Sequence, residues 1–150
     1  MVAEWVVRRG VRGDYQGIFE VQRGCVEAPH WSEMIWAEVL GAGGNRECIV
    51  AVAGPVVVGF VVVGLGCEVA ELESVAVAAV ARRRGIGWAL CEAGMAWARG
   101  VGASSIELEV RASSRGALAL YGALGFSEQG IRMGYYREPA EDAVLMQMVL

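Results

Sequence analysis

Residues 68–90 read "EVAELESVAVAAVARRRGIGWAL", and how this stretch divides decides the fold. Its first ten residues, 68–77, are rich in Val and bounded by Gly66 upstream, which reads as a strand. Residues 86–100 hold Ile86, Leu90, Ala93 and Trp97 at helical spacing and end in Gly100, with Gly102 just beyond. Between strand and helix lie Arg82, Arg83 and Arg84, then Gly85, Ile86 and Gly87. The stretch is therefore a strand–loop–helix crossover. A glycine-rich loop at a helix N-terminus offers unpaired N–H groups and the positive end of the helix dipole to an anion. Glycine lets the anion approach the backbone, and arginines add bidentate donors for phosphate oxygens. A solvated arginine run is equally compatible with these residues alone. The loop is not a Walker A motif, because Lys is absent and the spacing differs. It is not a dinucleotide fingerprint either, which needs a third glycine.

Upstream, residues 48–67, "CIVAVAGPVVVGFVVVGLGC", carry no charge over twenty residues. That is long enough to span a membrane. Gly54 and Pro55 interrupt it, Val and Ile dominate, and three further glycines weaken a helix. Two buried strands joined by a turn at Ala53-Gly54-Pro55 fit better. "EWVVRRG" reads as a first strand. Asp14 caps a helix to about Arg23, and Ser32 with Glu33 opens another through about Leu40. Downstream, residues 104–110 alternate, with Ile106, Leu108 and Val110 on one face and Glu107 and Glu109 on the other. Ser113 or Ser114 caps a helix through Leu124, stopped by Gly125. "DAVLMQMVL" is a last strand, with one more short strand near 126–133. The order is β-α-α-β-β-β-α-β-α-β, an α/β chain with a mixed sheet and helices on its faces. Residues 1–150 form a single domain, with no linker or repeat.

Composition narrows the function classes. The chain has 150 residues, 55% of them hydrophobic, and a formal net charge of −4. That acidic balance argues against general nucleic-acid binding, which needs a basic face. All thirteen positive side chains are Arg, so no lysine can form a Schiff base. Cys25, Cys48, Cys67 and Cys91 are widely spaced, and His30 is the one histidine. No metal site and no disulfide framework is expected. Buried reduced thiols, no signal peptide and a cytoplasmic location are the corresponding expectations.

The segments around the loop share a wider pattern. "ELESVAV" precedes it; "IELEVRASS" (106–114), "ALALYGALGF" (117–126) and "GYYREPAEDAVLM" (134–146) follow. Together with "RRRGIG" they resemble the GCN5-related N-acetyltransferases (GNAT). Within that superfamily they are similar to the RimI-like branch, which acetylates the N-terminal alanine of a small-subunit ribosomal protein. The resemblance covers residues 60–150 closely and the first third loosely.

It implies a GNAT fold, a mostly antiparallel sheet whose strands splay at the site of the cosubstrate, acetyl-CoA. Backbone N–H groups of Val75 and Val77, flanking Ala76, would meet the pantetheine and the thioester carbonyl. Arg82, Arg83, Arg84, Gly85, Ile86, Gly87 and Trp88 would hold the pyrophosphate. Ser114 stands where many relatives have Asn, keeping a hydroxyl but losing the amide. "PHWSE" (29–33) replaces the "HPWSE" common in the branch, and Ala79 and Ala81 replace a common Pro and aromatic. The resemblance makes Glu109 the general base and Tyr121 the general acid, acting in a ternary complex without a covalent enzyme intermediate. One carboxylate near another has its pKa raised, which would suit Glu109 beside Glu107.

Each assignment has a rival on the residues alone. Glu107 and Glu109 read first as solvated carboxylates, and Tyr121 as a core tyrosine with a satisfied hydroxyl. Glu73 is a rival base and a candidate for substrate contact. Tyr135 and Tyr136 are either plain strand residues or the lining of an acceptor groove. His30 reads as a loop residue. The implied partner is a protein N-terminus, with no nucleic acid and no membrane, in a monomer or weak dimer. A GNAT acting on another amine, or a non-catalytic acyl-CoA-binding module, remain the alternatives.

Overall fold

The computed structural model describes residues 4–41 and 44–150. Its strands are β1 (Trp5–Arg9), β2 (Arg46–Ala53), β3 (Val56–Gly66), β4 (Val69–Val77), β5 (Ser105–Arg111), β6 (Ser127–Arg137) and β7 (Ala140–Val149). They form one sheet in the order β1-β2-β3-β4-β5-β7-β6. Every neighbouring pair is antiparallel except β4–β5. The uncharged stretch is the β2–β3 hairpin, turning at Gly54 and Pro55. No helix among the described residues is long and apolar enough to cross a membrane.

Helices α3 (Ile86–Gly100) and α4 (Arg115–Leu124) cover one face; α1 (Tyr15–Arg23) and α2 (Glu33–Val39) cover the other. Period-two alternation divides β3 between them. Val61 and Val63 enter the α3 core, Phe60 and Val62 the α1–α2 core. Trp36 packs edge-on against Phe60, ring centroids 5.1 Å apart, and Trp31 lies tilted against Trp36 at the same separation.

Several details differ from the sequence expectations. The buried stripe of α3 centres on Leu90, Cys91, Gly94, Met95 and Ala98, while Ala93 and Trp97 flank it, half-buried. Gly94 belongs to that stripe for a steric reason. A Cβ there would lie 2.8 Å from Val63 Cγ2, so the bare backbone is what lets the helix seat on β3. The strand expected near 126–133 runs eleven residues, as β6. Asp14 stands at the start of α1, but its carboxylate does not cap the helix. It accepts from Arg8 Nη1 and Nη2 at 2.8 and 2.9 Å and from the Val11 N–H at 2.8 Å. The Arg8 bonds hold its pKa below the ordinary carboxylate range. Ser114 is the N-cap of α4 by position but not by side chain; Ser32 does cap α2. Cys25, Cys48 and Cys91 are buried, whereas Cys67 is exposed in the β3–β4 turn. Burial pushes the Cys48 and Cys91 thiols up to about 12.

Two irregularities in β4 position the site. Val62 pairs with Ser74 but Val63 pairs with Leu72, so Glu73 is an extra residue in the strand. Such a bulge reverses which face later residues occupy. Ala70 and Leu72 accordingly face α3, and beyond the bulge Ala76 faces α1–α2. The second irregularity is the splay expected from the resemblance. β4 and β5 pair only over Val69–Glu71 and Ser105–Glu107. Past that point the strands part.

Candidate active site

A cleft of about 1130 Å³ opens where β4 and β5 separate. One end is backbone. The N–H of Ala78 donates to the Val58 carbonyl at 2.8 Å. Alternation along the strand therefore turns the N–H groups of Val77 and Val75 to the opposite edge, toward the gap. Beyond them a 3₁₀ turn (Ala79–Ala81) leads into the arginine loop. Arg83 has φ 63° and Gly85 has φ 83°, the left-handed region where a side chain costs energy and Gly does not. This path brings the chain into α3 with its first amides toward the cleft. Among the described residues no backbone carbonyl accepts from the N–H groups of Gly85, Ile86, Gly87 or Trp88. Those orphan donors and the helix dipole suit an anion.

The arginines divide. Arg82 and Arg83 line the cleft, while Arg84 does not, although all three are exposed. Arg82 Nε donates to the Val77 carbonyl at 3.2 Å, which ties the loop back to β4. Trp88 and Ser114 also line the cleft, and Ser114 is buried.

The other end is a wall of side chains. Glu107 and Glu109 share the face opposite Ile106, Leu108 and Val110. Glu107 stands across from Glu71 in the paired part of β4–β5. Desolvation first, then Glu73, Glu109 and Glu107, raise the Glu71 pKa. The expected carboxylate crowding is thus resolved at Glu71. Glu73 and Glu109 both line the cleft but are held differently. Arg46 grips Glu73 with two hydrogen bonds of 2.9 Å, a bidentate pair that occupies both oxygens. Glu109 has Arg132 Nη1 at 3.5 Å from Oε1, and its buried Oε2 has no hydrogen-bond partner among the described residues. An oxygen so placed can accept a proton.

Tyr121 enters from α4, buried against Phe126 with ring centroids 5.8 Å apart, and lines the same cleft. Burial raises its pKa above the ordinary phenol value. It therefore stays protonated and can donate to a departing anion.

Tyr135 and Tyr136 close the wall from β6, edge to face at 5.1 Å. Their placement comes from an irregularity. Arg132 pairs with Ala143 and Tyr136 with Glu141, so Met133, Gly134 and Tyr135 stand against Asp142 alone. Asp142 Oδ1 accepts the Gly134 N–H at 2.8 Å, which anchors the bulge. The nearby Glu109 carboxylate, then burial, raise the Tyr135 phenol; burial first, then Glu109, raises Tyr136. Arg111 lies 4.2 Å from the Tyr136 ring centroid and donates to the carbonyls of Pro139 and Glu138 at 2.9 and 3.2 Å. Glu141 accepts from the Ser113 N–H at 2.6 Å. One cluster thus joins the start of α4 to the tyrosine pair.

The α1–α2 loop supplies the outer lip, from Cys25 to His30. Gln22, 1% exposed, holds it. Gln22 Nε2 donates to the Trp31 carbonyl at 3.0 Å, and its Oε1 accepts from the Trp31 N–H and from Trp36 Nε1, each at 2.9 Å. His30 Nε2 lies 2.9 Å from the Cys25 carbonyl. A carbonyl only accepts, so that nitrogen carries the proton and is not a free base.

Every site residue named from the sequence except Arg84 lies along this cleft. Arg46, Arg111, Arg132, Glu141, Asp142 and Gln22 went unnamed. Arg111, Glu141 and Asp142 sit inside the quoted motifs, and Gln22 shares the buried stripe of Ile18 and Val21. Arg46 and Arg132 carry no sequence signal, because their partners are remote.

The family model of the acetyltransferase (GNAT) family matches residues 14–126, and the chain belongs to that family. Over 91 residues it is 37% identical to the [ribosomal protein bS18]-alanine N-acetyltransferase of Escherichia coli strain K12, covering 59% of this chain and 62% of that protein. Over 77 residues it is 38% identical to the N-alpha-acetyltransferase RimI of Mycobacterium tuberculosis, covering 51% of this chain and 47% of that protein. Each match spans less than two thirds of the relative's length. The crystal structure of the ribosomal-protein-S18-alanine N-acetyltransferase from Escherichia coli has a TM-score of 0.86 at 28% identity, over 97% of this chain and 94% of that one.

Proposed function

From membership of the acetyltransferase (GNAT) family we infer that this protein moves acetyl from acetyl-CoA to the N-terminal α-amine of a protein. The acceptor we propose is the N-terminal alanine of a small-subunit ribosomal protein, in the cytoplasm. One observation carries the reading. Glu109 and Tyr121, from different elements, line one cleft whose far end is the orphan-amide loop Gly85–Trp88. The names of the two curated relatives and of the solved structure support the acceptor class.

The residues present fit acetyl-CoA. Gly85–Trp88 amides would hold the pyrophosphate, with Arg82 and Arg83 adding charge. Val75 and Val77 amides would bind the pantetheine and polarise the thioester carbonyl. Acetyl-CoA supplies an activated acyl group on a good leaving thiolate. An α-amine has a pKa of about 7.7–8.0 and arrives mostly protonated at neutral pH. Glu109 Oε2 takes that proton, and the amine attacks directly. Tyr121 donates to the departing sulfur. Glu73, bound bidentately by Arg46, is the weaker base candidate and serves to shape the wall with Tyr135 and Tyr136.

The test is acetylation of N-terminal peptides with acetyl-CoA, followed by mass spectrometry of the α-amine. One peptide copies the start of the host's own ribosomal protein and others vary the first residue. Turnover of Ala- or Ser-starting peptides is expected. Turnover of none of them overturns the acceptor assignment.

A further inference from the structure

Ser74 follows the bulge at Glu73 and pairs with Val62, whose side chain belongs to the α1–α2 core. Paired residues share a sheet face, so Ser74 also faces α1–α2, among apolar neighbours. It is 5% exposed and lines the cleft. Among the described residues, two buried side-chain oxygens lack a hydrogen-bond partner: Ser74 Oγ and Glu109 Oε2. They stand on the two strands that splay apart, on the same face, and line the same cleft. Unpartnered buried polar atoms are rare, and an apolar wall would accommodate alanine at position 74 more readily than a hydroxyl.

We propose that Ser74 is an acceptor-orienting residue whose hydroxyl holds the α-amine opposite Glu109 Oε2. The proposal rests on the acyl-transfer reading above. The incoming ammonium has three N–H bonds. One proton passes to Glu109 Oε2. A second N–H donates to Ser74 Oγ, which turns the freed lone pair toward the thioester carbon. The C–N bond forms as the C–S bond breaks, Tyr121 gives its proton to the departing sulfur, and a second nitrogen proton restores the phenol, leaving an amide and a thiol. Without Ser74 the amine is still deprotonated but less well aimed.

Ser74→Ala and Ser74→Thr test this. Ser74→Ala is expected to lower kcat on the order of tenfold to a hundredfold. Its acetyl-CoA affinity by calorimetry stays at the wild-type value, and its melting temperature is unchanged or higher. Ser74→Thr, which keeps the hydroxyl, retains more turnover than Ser74→Ala. Wild-type kcat and acceptor KM in Ser74→Ala overturn the role, as does a matching loss of acetyl-CoA affinity, which would move the hydroxyl's contact to the cosubstrate. The wild-type protein is the internal control. If it acetylates no peptide, the function and the Ser74 role fall together. If it is active and Ser74→Ala equals it, the Ser74 role falls alone.

Discussion

At the Gly85 end of the cleft the donors are main-chain N–H groups from one continuous stretch, shaped by the φ values of Arg83 and Gly85. At the Glu109 end the polar atoms belong to side chains on β4, β5 and β6, held by Arg46, Arg111 and Arg132 from distant parts of the chain. The first end needs little from side-chain identity beyond glycine. The second depends on which carboxylate has both oxygens gripped and which keeps one unpartnered. The contrast teaches that a cradle of orphan amides is built locally, whereas which of four neighbouring glutamates keeps an unpartnered oxygen is a long-range matter.

The largest expected effect breaks the side-chain end alone. Glu109→Gln should lower turnover by about 10²–10⁴-fold, the usual contribution of a general base, while calorimetry finds acetyl-CoA binding intact. Unchanged turnover would move the base to another wall carboxylate. Next, Gly85→Val tests the backbone end. A side chain in the left-handed region costs about 1–2 kcal/mol, so KM for acetyl-CoA should rise roughly tenfold with acceptor KM unchanged.

Gln22→Leu leaves the Trp31 N–H and carbonyl and the Trp36 Nε1–H without their partner. Buried polar groups so stranded cost about 1–3 kcal/mol, measurable by urea unfolding. Acceptor KM should rise several-fold and acetyl-CoA KM should not, which would separate the two ends again. Equal rises would show that the α1–α2 loop serves both.

The pH profile sharpens the role of Tyr121. Its raised pKa keeps the phenol protonated beyond the ordinary value of about 10. Turnover should therefore not fall between pH 8 and about 10 through loss of that proton. A Tyr121-dependent decline in that window, absent in Tyr121→Phe, would contradict the burial argument. The smallest effect is expected at Arg84, which lies outside the cleft. Arg84→Ala should change KM for acetyl-CoA by less than about twofold, as exposed charges commonly do, against a larger change for Arg82→Ala with Arg83→Ala.

Much of this molecule was legible in order along the chain. Strand alternation, helical spacing, the Gly54-Pro55 turn and the Gly85 loop are local properties, because φ preference and side-chain period act over a few residues. The resemblance motifs carried Glu109, Tyr121 and the tyrosine pair in the same way. In α3 the spacing marked Ile86, Leu90, Ala93 and Trp97, all set in or against the core, but not Gly94, since a residue without a side chain leaves no hydrophobic signal.

Three things were decided only by tertiary structure. The bulge at Glu73 moves Ser74 and Ala76 onto the α1–α2 face, and nothing in "ELESVAV" marks which residue is extra. Arg46 binds Glu73, leaving Glu109 Oε2 as the unpartnered acid oxygen. Asp142 anchors the bulge that sets Tyr135 beside Glu109. The amino-acid sequence by itself determined the elements and the glycine–arginine loop, and its motifs carried the resemblance that names the catalytic candidates, each a matter of neighbours in the chain. Which face each strand residue meets, and which charge finds a partner, depend on strand register and on residues tens of positions away, and those are fixed only when the sheet assembles.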